Sequence, residues 1–433
     1  MNTQSCLPET FWPYSLKAVV VVFIFCVVVG GIQAATIFVP QEYSTIQQAI
    51  DMAQAGDVVL VAAGEYDLDS GENFPIIMKN GVHLKSAKGP SETEIDAEES
   101  ASVFWFKDVD ETCILEGFSI TGGYGAYPYG GAITCDHASP RIRGNVISDN
   151  ETLHYGGGIF ISNSSPLIDS NTISSNYADA NGGGIEVRYD SSPIIRDNRI
   201  LNNETGFGDG GGIKIWIQRN AAVPIVENNI IAGNTANDKG GALFVYNKNG
   251  ETHVRNNLIL DNVALGADAN YECRGPGGGI YTESSYVIII NNTIGFNYAE
   301  SPIPEAVVAA GIGCYGISET LEPQIFNNII VSNVGGYGVL VQEASLPTLA
   351  YNNNWNNSMG AYLGCGVGVG DISENPYMDF HTTYHYVLKK YSGSIDAGDP
   401  QVHDGIPWPY YYQNTDRSDM GAYGGPGGAV WLN

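Results

Sequence analysis

The stretch Ser165-Pro-Leu-Ile-Asp-Ser-Asn-Thr-Ile-Ser-Ser-Asn176, followed by the run Gly182-Gly-Gly-Ile185, decides how this chain folds, because the unit recurs. Its Asn-x-Ile-x-x-Asn core, Asn171/Ile173/Asn176, returns at Asn145/Ile147/Asn150, Asn198/Ile200/Asn203, Asn229/Ile231/Asn234, Asn257/Ile259/Asn262, Asn292/Ile294/Asn297 and Asn328/Ile330/Asn333. Between these cores a glycine run opens onto an apolar residue at Ile133, Ile159, Ile185, Ile213, Leu243, Ile280, Ile312 and Val339, at intervals of 26, 26, 28, 30, 37, 32 and 27 residues. Periods of this size mark a repeat architecture.

Within each unit the apolar runs are short and β-branched, and they alternate: Ile159/Ile161, Ile185/Val187 and Ile213/Ile215 are separated by Phe160, Glu186 and Lys214. That is strand periodicity. No segment inside the repeats is long enough, or free enough of glycine and asparagine, to form the crossover helix of an ordinary parallel sheet. A solenoid remains: coils stacked at roughly 4.8 Å, with equivalent residues filed into columns. Ile147 to Ile330 then form an interior ladder. The asparagines fit corners, where Asn tolerates left-handed backbone and can hydrogen-bond from coil to coil. Prolines 140, 166, 193, 224, 323 and 347 stand at strand starts, where a missing N–H is tolerated.

On these residues the chain resembles the secreted right-handed parallel β-helix proteins of the pectate-lyase-like superfamily, over most of residues 36–433. The handedness is what the resemblance implies; the spacing alone does not set it. The expected fold is all-β, a right-handed parallel β-helix of about ten to eleven coils with a short N-terminal capping helix.

Composition narrows the partners. Lys+Arg number 19 against Asp+Glu 47, a formal net charge of −28. Such an excess of acid argues against nucleic acid or anionic lipid, whose binding is mostly cationic, and for an extracellular surface. Residues 18–29 are an apolar block after Lys17, and Gly-Gly-Ile-Gln-Ala-Ala follows, so 1–34 reads as a signal peptide cleaved near Ala34, with retention as an anchor the alternative. The expected location is secreted or cell-surface, extracellular or periplasmic, with no membrane contact after cleavage. Cys113, Cys135, Cys273, Cys314 and Cys365 then remain, an odd and scattered set that suits neither a disulfide framework nor a zinc site. Cys135 and Cys314 read as small core residues.

In order, 35–129 reads as an N-terminal cap and irregular first coils, 130–357 as regular repeats and 358–433 as a C-terminal cap. Ser44-Thr-Ile-Gln47 looks like a capping box opening a helix through about Gln54. Strands are expected at Thr36–Val39, Val58–Val61 and Phe104–Phe106 and over Ile114–Ile120, with a turn at Ala63–Tyr66. Insertions at 263–276 and 298–310 leave the same corner, and long loops on a rigid scaffold often carry function. Ser394–Asp399 and Arg417–Gly425 resemble the ending of many secreted bacterial β-helix proteins; Asp396, Asp399, Asp416 and Asp419 offer oxygen ligands suited to calcium.

If the residue after each glycine run points inward, its neighbours point outward in two columns. The first reads Thr134, Phe160, Glu186, Lys214, Phe244, Tyr281, Gly313, Leu340; the second reads Asp136, Ser162, Arg188, Trp216, Tyr246, Glu283, Tyr315, Gln342. Phe160, Trp216, Phe244, Tyr246, Tyr281 and Tyr315, beside Glu186, Arg188, Lys214 and Glu283, make a face on which sugar rings stack. The competing reading is a cross-strand aromatic ladder that only stabilises the sheet, with Glu186 and Lys214 a surface salt bridge.

As chemistry, this face has the parts for β-elimination of a uronic acid polymer. Arg188 would neutralise the substrate carboxylate, Lys214 would take the C5 proton if a cationic neighbour lowered its pKa, and a tyrosine would protonate the leaving oxygen. Glu186 and Asp209 could hold a calcium ion bridging to the substrate. The alternatives are hydrolysis by paired carboxylates, for which Glu186 with Asp209 is the candidate pair, and a non-catalytic cell-surface, adhesion or structural protein. The adjacent aspartates of polygalacturonase-like hydrolases, the Arg-x-x-Pro-x-x-Arg run of pectate lyases and the Gly-x-x-Asp-Phe segment of pectin methylesterases are absent, so no catalytic residue carries over from a family. The expected partner is an extracellular polysaccharide, and the expected state a monomer.

Overall fold

Each repeat closes one turn. From the strand Ile159–Ser162 the chain runs to Leu167–Asp169, then Thr172–Ser174, then Tyr177–Ala178, and returns at Ile185, directly beside Ile159. In the computed structural model, which describes residues 34–126, 130–267, 276–303, 306–316, 322–381, 385–403 and 417–426, these turns build four sheets. Sheet C (the Ile159–Ser162 series) and sheet B (Thr172–Ser174) have eleven strands each, sheet A (Leu167–Asp169) has twelve and sheet D (Tyr177–Ala178) seven. All strand pairing within the four is parallel, so the chain is an all-β parallel solenoid; an antiparallel pair, Met378–His381 with His385–Leu388, lies outside them. The expected leader falls outside the described residues but for Ala34. Among the described residues no helix is long and apolar enough to cross a membrane.

The core is a set of columns. Ile147, Ile173, Ile200, Ile231, Ile259, Ile294 and Ile330 pair in register from coil to coil and are fully buried. At about 1.5–3 kcal/mol for each large aliphatic side chain removed from water, these columns are the main stabilising term. Cys135 and Cys314 are buried among them as expected.

Two asparagine ladders flank sheet B. Between sheets A and B, each Nδ2 donates to the next Oδ1 along Asn145, Asn171, Asn198, Asn229, Asn257, Asn292, Asn328 and Asn352, at 3.0–3.1 Å. The second runs in the same way from Asn150 to Asn357 through Asn176, Asn203, Asn234, Asn262, Asn297 and Asn333. Asn352 and Asn357 belong to an eighth copy, disguised in the sequence because Asn354 stands in the isoleucine's place. The left-handed residue is not the ladder asparagine but the one before it: Ser170, Asp197, Asn228, Asn256, Asn291 and Asn327 at the first corner, and Ser175, Asn202, Asp261 and Phe296 at the second, have φ of 53–59°.

At the ends the expectations need adjustment. The helix spans Ile46–Met52 and its N-cap is Thr45, whose side chain accepts from the Gln48 N–H at 3.3 Å. The buried Glu72 carboxylate accepts from the amides of Ile46 and Gln47, and burial raises its pKa despite them. Gly64–Tyr66 is the first strand of sheet B rather than a turn, and Ile114–Ile120 is two strands bent at Gly117, whose φ is +83°.

The C-terminal segment first continues the stack, with Tyr362–Leu363 pairing with Val339–Leu340 and Val369 and Ile372 bridging to Ala350 and Asn353, and its last described part then leaves the stack. That part lies sideways on the outer face of sheet B, with Ala422 and Tyr423 against Leu258 and Leu260 and Met420 against Ile329 and Val331. Asn256 Nδ2 donates to the carbonyls of Ala422 and Gly424, and Asn291 Nδ2 to that of Asp419. Asp419 Oδ1 accepts from the Asp396 N–H, and Asp399 Oδ1 from that of Gln401, so a backbone amide takes one oxygen of each of these two carboxylates; Asp416 lies outside the described residues.

Candidate functional site on sheet C

The register expected for the outward columns is the one observed: Phe160 pairs with Glu186, Glu186 with Lys214, Lys214 with Phe244 and Phe244 with Tyr281 in the first, and Arg188 with Trp216 and Trp216 with Tyr246 in the second. The exposure is not. The first column is buried throughout: Phe160, Phe244 and Tyr281 are covered, Lys214 is 4% exposed and Glu186 is 0% exposed. These five are therefore not a sugar-facing surface as they stand.

The cause is the glycine turn that precedes each strand. Gly182 has φ +64°, and a Cβ placed on it would lie 2.8 Å from both Cβ and Oε2 of Glu186; Gly210, at φ +68°, would lie 2.7 Å from Lys214 Cβ. The turn arches over the first outward residue of its own strand. The second column lies beyond this roof, so Arg188, Trp216, Tyr246, Glu283 and Tyr315 stay partly exposed.

The buried column serves as a foundation. Phe244 stacks on Tyr281 at 5.6 Å and on Trp216 at 6.1 Å, and Trp216 stacks on Tyr246 at 4.5 Å with planes 22° apart. Arg188 is held from two sides: its Nε donates to Glu186 Oε1 at 2.6 Å, and its guanidinium lies 3.6 Å from the Tyr155 ring centroid. Burial pushes the Glu186 carboxyl above its ordinary value against the pull of Arg188 and Lys214, and its Oε2 has no hydrogen-bond partner among the described residues.

Lys214 donates to Asn181 Oδ1 at 2.7 Å and to Asp209 Oδ2 at 2.8 Å. Its close neighbour is thus a carboxylate, not the cation that a neutral lysine base requires. Glu186 and Asp209, the residues expected to hold calcium, have other partners at rest. Each is already matched with a basic side chain, Glu186 is sealed, and no group of three acidic, histidine or cysteine ligands occurs among the described residues. Calcium takes six or more oxygens.

Trp216 is a wall shared by two pockets. One, of about 320 Å³, is lined by Asn181, Phe207, Asp209, Lys214, Asp238, Lys239 and Glu283. The other, of about 370 Å³, is lined by Asn163, Arg188, Tyr189, Asp190, Gln218 and Arg219. Lys239 pairs with Asp238; burial works against its charge, but Asp209 and Asp238 outweigh it and raise its pKa. Phe207, 76% exposed, stands at the mouth of the first pocket and Tyr189, 48% exposed, at that of the second.

Sequence reasoning did not find Tyr155, Tyr189, Phe207, Arg219, Asp238 or Lys239. They sit in turns, off the strand columns; an aromatic between glycines, Gly206-Phe-Gly208, was the available signal. Both insertions leave the corner between sheets D and C, after Val263–Ala264 and Tyr298–Ala299, though 268–275 and 304–305 lie outside the described residues.

With this geometry in hand, the chain can be set beside known proteins. A family model described as "Protein of unknown function (DUF1565)" matches residues 31–240. No curated protein matches the sequence. Among solved structures the chain is similar to the pectate lyase Pel9A, at 14% identity and a TM-score of 0.49 over 90% of this chain and 97% of that one. It is also similar to the PL6 family alginate lyase AlyGC, at 15% and 0.41 over 82% of this chain and 55% of that one. A third is the A-module of the Azotobacter vinelandii mannuronan C-5 epimerase AlgE6, at 18% and 0.34 over 76% and 94%.

Proposed function

We propose that the sheet C face binds an acidic extracellular polysaccharide, with sugar rings laid on Trp216 and Tyr246 and carboxylates drawn to Arg188 and Arg219. The observation that carries this reading is the placement of Trp216: partly exposed, backed by Phe244 and Tyr246, and forming a wall of both pockets. A flat ring held rigid from behind and open in front offers large contact area at little entropic cost. The chain carries −28 overall, so an acidic polymer is repelled by most of its surface; around one pocket Arg188, already paired with Glu186, and Arg219 stand against the single carboxylate Asp190. A secreted or cell-surface chain, as expected from reading 1–34 as a leader, would meet such a polymer.

Binding is the reading favoured over cleavage, because the resting geometry holds Lys214 against Asp209. The β-elimination expected of Arg188 and Lys214 needs that contact released first, and paired-carboxylate hydrolysis lacks an accessible Glu186. Calcium has no part in this reading.

The test is to titrate the chain from Ala35 onward with pectate, alginate, glycosaminoglycans and ulvan, with and without a chelator, and to follow ultraviolet absorbance from unsaturated uronyl products. At least one polymer should bind, indifferent to chelator. Trp216→Ala should weaken it by about 2 kcal/mol, roughly thirtyfold, and Arg188→Ala should weaken it too. Absorbance growth would add lyase activity to the binding. No binding to any acidic polymer, or affinity unmoved by Trp216→Ala, refutes the proposal.

A further inference from the structure

The outer face of sheet A carries two rows that the groove on sheet C does not use. One is a charge ladder of alternating sign over seven successive coils: Lys85, Glu116, Arg143, Asp169, Arg196, Glu227 and Arg255, each in register with the next. Beside it runs a largely apolar row of Ile114, Arg141, Leu167, Ile194, Ile225, His253 and Ile288.

Sheet B shows how this molecule treats apolar residues on an outer face. Where that face is polar, at Ser148, Thr172, Ser174 and Arg199, with the single apolar Val146 among them, it is open. Where it turns apolar, at Ile230, Leu258, Leu260, Ile329 and Val331, the C-terminal segment lies over it and buries it. On sheet A, Ile114, Leu167, Ile194, Ile225 and Ile288 remain partly exposed with no such cover among the described residues.

The charge ladder indicates what covers them. We infer that sheet A is the interface of a homodimer, packed face to face on a second copy about a two-fold axis that lies along the strand direction. Such an axis sets the charged row against the charged row and the apolar row against the apolar row, with the order of coils reversed. An axis on a coil would oppose like charges. An axis midway between two coils opposes unlike charges at every rung.

The ladder's own ion pairs select the coils. Glu116 is taken by Lys85 at 2.9 Å and Arg143 at 2.7 Å, and Glu227 by Arg255 at 2.7 Å. At the centre, Asp169 has no ion pair among the described residues and Arg196 reaches only Asp197, at 3.8 Å. An axis between these two coils pairs Asp169 with Arg196 of the partner subunit, twice over, and seats Leu167 on Ile194 of the partner subunit. Arg143 then faces Glu227 of the partner subunit. The seven strands span roughly 29 Å, a stripe at the small end of specific interfaces, so association is concentration-dependent. The grooves on sheet C stay free in both copies.

Sedimentation velocity over a range of concentrations at low salt tests this. The chain from Ala35 onward should move towards the sedimentation coefficient of a particle of twice its mass as concentration rises. Asp169→Arg alone and Arg196→Glu alone should each stay monomeric, since each sets like charges against each other at the centre. Mixed together they should associate again, because both central pairs are then opposite in sign. Circular dichroism and thermal melts confirm that each variant is folded, and Ile194→Lys provides a second disruption that leaves the charge ladder intact. A wild-type chain that is monomeric at every concentration leaves the face bare or available to another partner and overturns the inference. So does a dimer that survives Ile194→Lys, or a mixture that fails to associate.

Discussion

Replacing Glu186 by alanine tests whether this carboxylate exists to hold Arg188. The group is sealed from solvent, its Oε1 lies 2.6 Å from Arg188 Nε, and the Arg188 side chain is itself only 17% exposed. Removing the anion leaves a guanidinium largely out of water without its counter-ion, and breaking a buried pair in this way costs about 3–5 kcal/mol. The Tyr155 ring 3.6 Å away and the remaining hydration of Arg188 place the expected loss at the lower end, about 3 kcal/mol. Glu186→Gln keeps an acceptor for Arg188 Nε and should lose only about 1 kcal/mol. The pH dependence has a definite sign. Burial raises the folded-state pKa of Glu186, so its stabilising contribution is full below the unfolded value and is lost as pH rises through the folded one. The margin of wild type over Glu186→Gln should therefore shrink as pH rises from the ordinary carboxylate range. Urea unfolding followed by tryptophan fluorescence at several pH values measures each of these, and polymer affinity should fall in Glu186→Ala about as far as in Arg188→Ala. An alanine variant within about 0.5 kcal/mol of wild type, with unchanged affinity, would refute the positioning role.

Asn203→Ala removes four hydrogen bonds: Nδ2 to Asn234 and to the Ile173 carbonyl, and Oδ1 from the Asn176 amide and side chain, all at 2.9–3.1 Å. With about 1–3 kcal/mol for each buried group left unsatisfied, the loss should be about 3–6 kcal/mol by urea unfolding, and a loss below about 1 kcal/mol would show that the ladder is not stabilising. Burial would raise the pKa of Glu116, but Lys85 and Arg143 override it and hold the carboxyl at about 2 against an ordinary 4.5. Its contribution is thus present above the ordinary value and lost as pH falls towards about 2, and Glu116→Gln should flatten that part of a melting-temperature profile. Burial pushes Cys113 and Cys314 up to about 12 and Cys365 to about 11, so none of the three should be alkylated at neutral pH until denaturant is added; mass spectrometry before and after unfolding decides it.

The repeat was readable because a solenoid converts sequence spacing into contact. The isoleucines 26 to 36 residues apart touch because each occupies the same place in its turn, and nothing but the turn need be known. The eighth copy escaped because Asn354 breaks the apolar mark while its asparagines keep the ladder. The destination of the C-terminal segment was not readable, since it depends on contacts such as Asn256 to Ala422, 166 residues apart, that no period announces. A trace of it existed: the outer positions of sheet B change from Ser148 and Ser174 to Ala232, Leu260 and Val331 as the segment begins to cover them.

The same reasoning explains why the site was half legible. Alternation along a strand says which residues point away from the core, and all of the outward residues on sheet C do so. Pointing away from the core is not the same as facing water. The turn into the strand holds a left-handed glycine at Gly156, Gly182, Gly210 and Gly240, and Gly277 makes the same close approach to Tyr281 without a positive φ; each such glycine leaves room for one outward side chain beneath the arch. The first outward position therefore belongs to a second, exterior core, where Glu186, Lys214, Phe244 and Tyr281 are buried like interior residues, and only the second position reaches solvent. The glycine run that announced the strand also announced its roof. After Gly182, Gly210 and Gly240 the side chain four residues on supports the surface, and the residue two places further on, Arg188, Trp216 or Tyr246, forms it.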